Sequence, residues 1–237
     1  MALFTISDLH LSLGHDKPMD IFKGWEGYLD RLRENWSNTV TTEDTVVVAG
    51  DISWAMKLEN CDEDFAFIHA LPGRKLLMKG NHDYWWSTRA KMDQYLADRG
   101  FHTLEILFNN SFLVDGTAVC GTRSWMYEPD APHDAKVMAR ENGRLRVSLE
   151  HAAQNWPSAE RVAFLHYPPV YQNVRSEEVI AILKEYAVVR CYYGHLHGVS
   201  IYSAVQGMVD GIDYRLVSAD ALKFRPFVIP DLMDRNQ

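Results

Sequence analysis

Five short polar clusters along the chain contain the residue types that bind divalent metals. In chain order they are Asp8-Leu9-His10, Gly50-Asp51, Gly80-Asn81-His82-Asp83, His166 and Gly194-His195-Leu196-His197. Carboxylates, imidazoles and an amide oxygen suit Mn, Fe, Zn or a similar divalent ion, and no thiol accompanies them. The residue types therefore predict metal-dependent chemistry, provided that the fold brings the clusters together.

Each cluster follows a short apolar run, rich in β-branched residues, that we predict to be a buried strand. These predicted strands are residues 3–7, 45–49, 75–78, 162–165 and 188–193. Because ligand sites in open α/β sheets lie at the carboxyl ends of the strands, we expect all five clusters to face one site. Asp8 and His10 are two residues apart and would project to the same face of an extended chain.

Each cluster alone has an ordinary structural interpretation, as a capping Asp, a turn Asn or a hydrogen-bonded core His. Together the clusters would place many ionisable groups at strand ends, where unpaired burial is costly. The combination therefore favours a functional site over five unrelated structural features.

The rest of the chain predicts an α/β fold in which two packed sheets have helices outside. Apolar spacing near 3.6 residues predicts helices over 20–38, 61–71, 87–99, 134–156 and 176–186. Turn signals within 104–120 and 199–227 predict antiparallel strands or hairpins. Residues 123–136 have no readable pattern and are predicted to be a long loop. We find no linker or repeat, so we expect a single domain over residues 1–237.

Composition narrows the class of partner. The chain has 24 Lys and Arg against 32 Asp and Glu, a formal net charge of −8, which argues against a nucleic-acid backbone binder. No window holds the roughly 18 apolar residues of a membrane span, and the amino terminus lacks the basic run of a signal peptide. Three cysteines without a CxxC motif indicate reduced thiols. We therefore predict a cytoplasmic protein without a membrane partner.

The ordered set DxH, GD, GNHD, H and GHxH resembles the calcineurin-like metallophosphoesterase superfamily, and the resemblance runs from residue 8 to residue 198. It implies a four-layer sandwich of two mixed β-sheets flanked by helices, with a centre of two divalent metal ions. The matching positions imply that one ion is held by Asp8, His10 and His197, the other by Asn81, His166 and His195, and that Asp51 bridges them. Two divalent ions, two carboxylates and a hydroxide would leave a charge of about +1, which attracts a phosphate ester.

The resemblance also implies roles for His82 and Asp83. The matching histidine acts on the leaving-group oxygen or on the phosphoryl group, so His82 is predicted to be a general acid or charge stabiliser. Asp83 is grouped with it as a catalytic residue that orients the site or ties down the loop. Adjacent side chains on an extended loop point apart, so we do not expect Asp83 to pair with the His82 ring.

Two positions depart from part of the superfamily. Many relatives, including the Ser/Thr protein phosphatases, carry a second Asp in GDxxD that supports the histidine, whereas this chain has Trp54 there, which leaves open what orients His82. The protein phosphatases also have GNHE, whereas this chain has GNHD, as do the phosphodiesterase, nucleotidase and nuclease branches. Both differences argue against a phosphoprotein substrate. The pattern is most similar to small bacterial single-domain predicted phosphohydrolases, a group that does not supply the substrate.

Four residues near the clusters are candidate substrate contacts: Trp54, Tyr84, Arg123 and Trp125. The aromatic rings could stack on a base, a sugar or an aryl group, and Arg123 could hold a phosphate as a bidentate fork. The alternative for the aromatic residues is core packing. The alternative for Arg123 is exposure to solvent.

These observations predict a metal-dependent phosphoesterase that hydrolyses a small-molecule phosphodiester or phosphomonoester by attack of a hydroxide bridging two divalent metals. GNHD favours diesters. A nuclease or cyclic-nucleotide phosphodiesterase is the alternative enzyme. A noncatalytic scaffold is the alternative from another class, because the same fold serves as a protein-binding module in a retromer subunit. Such modules tend to lose ligands or the site histidine, whereas this chain keeps His82 and all seven predicted ligands.

Overall fold

A computed structural model describes residues 1–126 and 134–230 of the chain. These residues form thirteen β-strands and five α-helices. The strands are β1 (Leu3–Ile6), β2 (Thr45–Val48), β3 (Arg74–Leu77), β4 (Leu104–Ile106), β5 (Ser111–Val114), β6 (Thr117–Thr122), β7 (Glu160–Leu165), β8 (Val170–Tyr171), β9 (Val174–Arg175), β10 (Arg190–Tyr193), β11 (Gly207–Val209), β12 (Ile212–Leu216) and β13 (Phe227–Val228). The helices are α1 (Tyr28–Ser37), α2 (Asp62–Ala70), α3 (Arg89–Asp98), α4 (Asp134–Asn155) and α5 (Glu177–Glu185).

The strands form two large sheets that are parallel at the centre and have antiparallel pairs at one or both edges. The first has the order β13-β1-β2-β3-β4, with β1 to β4 parallel and β13 antiparallel to β1. The second has the order β11-β12-β10-β7-β6-β5, with antiparallel pairing only of β11 and β5. Both sheets are therefore mixed, and the parallel strands of each end at one edge, where loops can form a site.

Side-chain alternation explains how the layers stack. Val46 and Val48 of β2 pack with the apolar faces of α1 to α3, whereas Val47 packs in the cluster that holds Val119 and Val162 of the second sheet. The outer face of the second sheet packs against α4 and α5. Because successive strand residues point to opposite faces, each buried strand contributes to two apolar layers. The predicted α/β four-layer sandwich of two mixed sheets flanked by helices is confirmed.

The five predicted strands and four of the predicted helices lie close to their expected bounds, but the first helix is shorter. Residues 20–38 were expected to be helical, and α1 begins only at Tyr28. Gly24 and Gly27 both have positive φ there, which a right-handed helix does not accept. The segment before α1 is instead a run of turns.

Pairing also differs from the sequence expectation within residues 104–120. Strand β4 pairs parallel with β3 in the first sheet, and only β5 and β6 form a hairpin, around Asp115 and Gly116 with positive φ. The turn signal located the hairpin, but the partner of β4 depends on tertiary packing. Residues 127–133 of the predicted loop lie outside the described residues.

The segment 199–227 is also more varied than a set of antiparallel strands. A 3₁₀ helix covers Gly198–Ser203, and β11 and β12 then form the expected hairpin. Strand β12 also pairs parallel with β10, and β13 joins the first sheet. Across the described ranges, none of the helices combines the length and apolarity that spanning a membrane requires.

A buried lysine closes the turn between α2 and β3. The Lys75 side chain is fully buried, and its Nζ donates to the carbonyl oxygens of Leu71 at 2.6 Å and Gly73 at 2.7 Å. Burial lowers the pKa of Lys75 to about 8. The ammonium therefore satisfies backbone acceptors that would otherwise be buried without donors.

We expect Lys75→Met to lower the free energy of unfolding by about 2 kcal/mol, because two buried carbonyls lose their donor. The pKa of Lys75 is lower in the folded chain than in the unfolded chain, so the folded chain loses this proton at a lower pH. The difference in the free energy of unfolding between the wild type and Lys75→Met should therefore grow between pH 8 and pH 10. Urea denaturation at both pH values measures this, with exposed Lys91→Met as the control. Equal stability of the wild type and Lys75→Met would contradict the role of Lys75.

Candidate metal centre

Loops from both sheets meet at the carboxyl ends of β1, β2, β3, β7 and β10. Backbone hydrogen bonds join the loops directly: Asp8 N–H donates to the Gly50 carbonyl at 2.8 Å, and Gly194 N–H donates to the His166 carbonyl at 3.1 Å. Gly194 packs so closely on Asp8 that a Cβ would overlap it. This contact brings the loop after β10 in the second sheet against the loop after β1 in the first.

Four of the seven predicted ligands have left-handed backbone conformations. Asp8, His10, Asp51 and His195 have φ values of 60°, 46°, 50° and 72°. Residues other than glycine adopt this region rarely, and such strain is concentrated at functional sites. These left-handed residues place a sharp turn directly after β1, β2 and β10.

The first group of donors contains Asp8, His10 and His197. The Nε2 atom of His197 lies 3.1 Å from Oδ1 of Asp8 and 3.3 Å from Nε2 of His10, and the donor atoms all lie within 4.8 Å of one another. Donors about 2.1 Å from one ion are about 3.0 to 3.4 Å apart at octahedral or tetrahedral angles. The spacing of this group therefore fits a divalent ion.

The second group of donors surrounds Asn81. Its Oδ1 lies 2.6 Å from Nε2 of His166 and 2.9 Å from Nδ1 of His195. The Oδ2 atom of Asp51 lies between the groups, 3.5 Å from Nε2 of His166 and 3.7 Å from Nε2 of His10. The structure thus brings all seven predicted ligands together, with Asp51 within reach of both groups.

Burial keeps most of these histidines neutral. It lowers the pKa of His10 and of His166 to about 3 and that of His195 to about 4, although the Asp8 carboxylate acts in the opposite direction. Neutral imidazoles have a free lone pair at pH 7 and can bind a metal. Protonation therefore does not compete with metal binding at these three residues near neutral pH.

The carboxylates crowd negative charge into a buried volume. Burial and the nearby Asp8 and Asp83 raise the pKa of Asp51 well above its usual range, and burial raises the pKa of Asp83 to about 6. Burial would also lower the pKa of His197, but Asp8 and Asp220 raise it to about 10. Since a cation would relieve this repulsion, the charge pattern also fits a metal centre.

Asp220 was not identified from the sequence. Its Oδ1 lies 3.1 Å from Nδ1 of His197, and its Oδ2 accepts a hydrogen bond from Gly198 N–H at 2.9 Å. The carboxylate fixes the ring so that Nε2 faces Asp8, a common arrangement behind metal-binding histidines. Its position shortly after β12 could have identified it, because the five predicted clusters also follow the ends of strands.

Asp83 joins the loop after β2 to the loop after β3. Its buried carboxylate accepts hydrogen bonds from five N–H groups: the backbone of Asp51, Ile52, Ser53 and Gly80 and the indole of Trp85, at 2.6 to 3.2 Å. These bonds, and not a contact with the His82 ring, account for its position. Through these hydrogen bonds Asp83 connects the loop after β2 with the loop after β3.

His82 is held by a backbone hydrogen bond and by ring packing. Its N–H donates to Oδ1 of Asp51 at 2.8 Å, and its ring centroid lies 4.5 Å from that of Trp54, which also stacks on His10 at 4.9 Å. Within residues 1–126 and 134–230, Nδ1 of His82 has no hydrogen-bond partner. Trp54 therefore supports the histidine by packing, at the position where many relatives have an Asp.

The other predicted substrate contacts lie at different distances from the centre. Tyr84 is exposed, and its ring centroid is 6.1 Å from that of His82. The Trp125 ring lies 5.0 Å from the Tyr167 ring, which in turn lies 4.3 Å from His195. The Trp125 ring is therefore connected to His195 of the second donor group through Tyr167.

Arg123 is neither free nor exposed. Its side chain is 12% exposed, and Nη2 lies 3.1 Å from Oε1 of buried Glu141, so the alternative of an arginine exposed to solvent is wrong. Its carbonyl accepts hydrogen bonds from the backbone N–H groups of His166 and Tyr167 at 3.2 and 3.0 Å. Arg123 thus fixes the loop that carries His166.

Comparison with known proteins identifies the family. Residues 1–199 match the model of the calcineurin-like phosphoesterases, and the chain belongs to that family. It is 27% identical to the gene 66 protein of Mycobacterium phage L5, in an alignment that covers 60% of this chain and 83% of the phage protein.

The fold resembles that of a solved structure. The protein TT1561 of Thermus thermophilus has a TM-score of 0.58 at 10% identity over 96% of this chain and 97% of its own. AQ665 of Aquifex aeolicus, a protein of unknown function, has a TM-score of 0.49 at 18% identity over 96% and 95%. The family implies phosphoester hydrolysis that depends on a divalent metal.

Asp83→Asn tests the tie between the loops. An amide replaces one acceptor oxygen with a donor among N–H groups, so we expect the free energy of unfolding to fall by about 2 kcal/mol and bound manganese to decrease. Urea denaturation and metal analysis measure the two effects, with exposed Asp93→Asn as the matched control. Wild-type stability and metal content together with lost turnover would instead indicate direct participation in the reaction.

Proposed function

We propose that this protein hydrolyses a small-molecule phosphate ester, with preference for a diester, at the centre formed by the two donor groups. The observation that carries the proposal is the position of Asp51, whose carboxylate lies within 3.7 Å of a donor from each group. We assign Asp8, His10 and His197 to one divalent ion and Asn81, His166 and His195 to the other. Asp51 is the shared ligand.

Two divalent ions at this centre would supply an activated water nucleophile and would stabilise the negative charge on the phosphoryl oxygens. In the net reaction, the water oxygen bonds to phosphorus and the phosphorus–oxygen bond to the alcohol breaks, leaving its electron pair on the alcohol oxygen. The water also supplies the proton that the alcohol carries away. Atoms and charge balance without any further reactant.

His82 is proposed to act on the oxygen that leaves. Its ring contacts Trp54 beside the first donor group, and its backbone N–H fixes the shared ligand Asp51. Burial and the nearby Lys17 ammonium lower the pKa of His82, which favours the neutral imidazole. A neutral imidazole donates one N–H hydrogen bond, so this arrangement favours stabilisation of the developing negative charge.

The class of ester is proposed from two sequence features. The GNHD motif supports a diester, and the formal charge of −8 supports a small molecule over a polymeric nucleic acid. A nuclease or cyclic-nucleotide phosphodiesterase remains the alternative enzyme. We also propose that the chain functions as a single domain in the cytoplasm, where its three buried free cysteines would stay reduced.

Hydrolysis of bis-p-nitrophenyl phosphate and p-nitrophenyl phosphate with manganese tests the proposal. We expect turnover of the diester to exceed that of the monoester, to be abolished in Asp51→Asn and to fall about 100-fold in His82→Ala. The surface variants Asp93→Asn and His102→Ala are the matched controls. Absence of turnover of either ester by protein shown to contain two manganese ions would overturn the proposal and favour the noncatalytic scaffold.

A further inference from the structure

A cavity of about 420 Å³ opens beside the first donor group, and nothing in the reaction described above accounts for it. Three histidines line its inner side: His10 and His197, from that donor group, and His82. His82, which is proposed to act on the leaving oxygen, is therefore part of the cavity wall. A volume of this size is within the range of small-molecule sites and far exceeds what a water nucleophile needs.

The remaining walls are mainly apolar and aromatic. Met19, Phe22 and Trp25 line the cavity from the segment of turns before α1, and Trp54 lines it from the loop after β2. Trp54 was a predicted substrate contact, whereas Phe22 and Trp25 were not, because residues 20–38 were predicted to be one helix. The shortened helix frees this segment to form the wall.

The wall is rigid at its base and open at its rim. Trp25 is 4% exposed, and its ring is held by edge contacts with Tyr28 at 5.3 Å and Phe224 at 5.0 Å. Phe22 is 53% exposed and neighbouring Ile21 is 73% exposed. Exposed apolar side chains such as these are stabilised when an apolar ligand covers them, because apolar surface is then removed from water.

The charges at the cavity exclude one class of occupant. Lys23 lines it, and the Lys17 ammonium lies 4.0 Å from the centre of the Trp54 ring. Among the described residues that line the cavity, Lys23 is the charged side chain besides the histidines. The two lysines favour a neutral or anionic ring over a cationic one at this side of the cavity.

We propose that this cavity binds the leaving alcohol of the substrate and that this alcohol carries a planar aromatic ring. The inference rests on the proposed function and deepens it, since it names the substrate class as aromatic phosphate esters. Phe22, Trp25 and Trp54 supply aromatic walls against which a flat ring can pack, and His82 lines the same cavity. Trp25 and Phe22 are then specificity-determining residues, while the metal ligands act on any phosphate ester.

Binding of two phosphonates, which are not hydrolysed, tests the cavity without turnover. We expect phenylphosphonate to bind the manganese-loaded protein at least tenfold more tightly than methylphosphonate in isothermal titration calorimetry. Phe22→Ser should reduce this ratio to below threefold. Leu113→Ser, an exposed apolar residue on the second sheet, is the control and should keep the wild-type ratio.

Kinetics separate binding from damage to the centre. In Phe22→Ser we expect the KM for p-nitrophenyl phosphate to rise about tenfold, with the loss falling on KM rather than on kcat, and manganese content to stay at the wild-type level. Trp25→Leu is the second variant and should weaken phenylphosphonate binding in protein shown to be folded by circular dichroism.

The outcomes distinguish the two proposals. Equal affinity for the two phosphonates, or an unchanged ratio in Phe22→Ser, would overturn the aromatic subsite while the hydrolase stands if the esters are turned over. A preserved phenylphosphonate preference in manganese-loaded protein that hydrolyses neither ester would overturn the proposed function and with it the assignment to a leaving group.

Discussion

The hydrogen bonds that converge on the Asp83 carboxylate are the interaction on which the site most depends. This buried group accepts bonds from the loop that carries Asp51 and from the loop that carries Asn81 and His82, and so fixes their separation. Gly80 is required at the same point, because a Cβ there would overlap Asp51. The Asp83 carboxylate binds backbone N–H groups, so it positions the predicted metal ligands and is not itself one of them. It also places negative charge beside Asp51, which raises the pKa of Asp51.

The centre also depends on the packing of one sheet against the other. Asp8, His10, Asp51 and Asn81 come from the first sheet, whereas the remaining histidines come from the second. The apolar cluster between the sheets, which includes Val47 and Val162, sets their spacing. Because close-packed cores deform little, this layer keeps donors from distant parts of the chain close to one another.

In the proposed reaction, binding of the phosphoryl group and recognition of the alcohol fall to different parts of the molecule. The donors follow strands of rigid sheets, while the apolar cavity is formed largely by the turns before α1. Loops on a fixed scaffold can change without disturbing the core, so this segment is where substrate preference can vary among proteins that share the centre. Trp54 links the two, because it packs on His10 and His82 and also forms a wall of the cavity.

The sequence by itself determined the α/β class, the five central strands and the polar clusters beyond them, because buried strands and turn residues leave local patterns. It also located the β5–β6 hairpin through its Asp-Gly turn. Only the tertiary structure decided the parallel partner of β4, the start of α1 and the neighbours of each site residue. Asp220 behind His197, Glu141 beside Arg123 and Trp25 beside His10 are contacts between residues far apart in the chain. Such contacts follow from how two sheets and one loop pack, a free-energy balance over the whole molecule that no local pattern encodes.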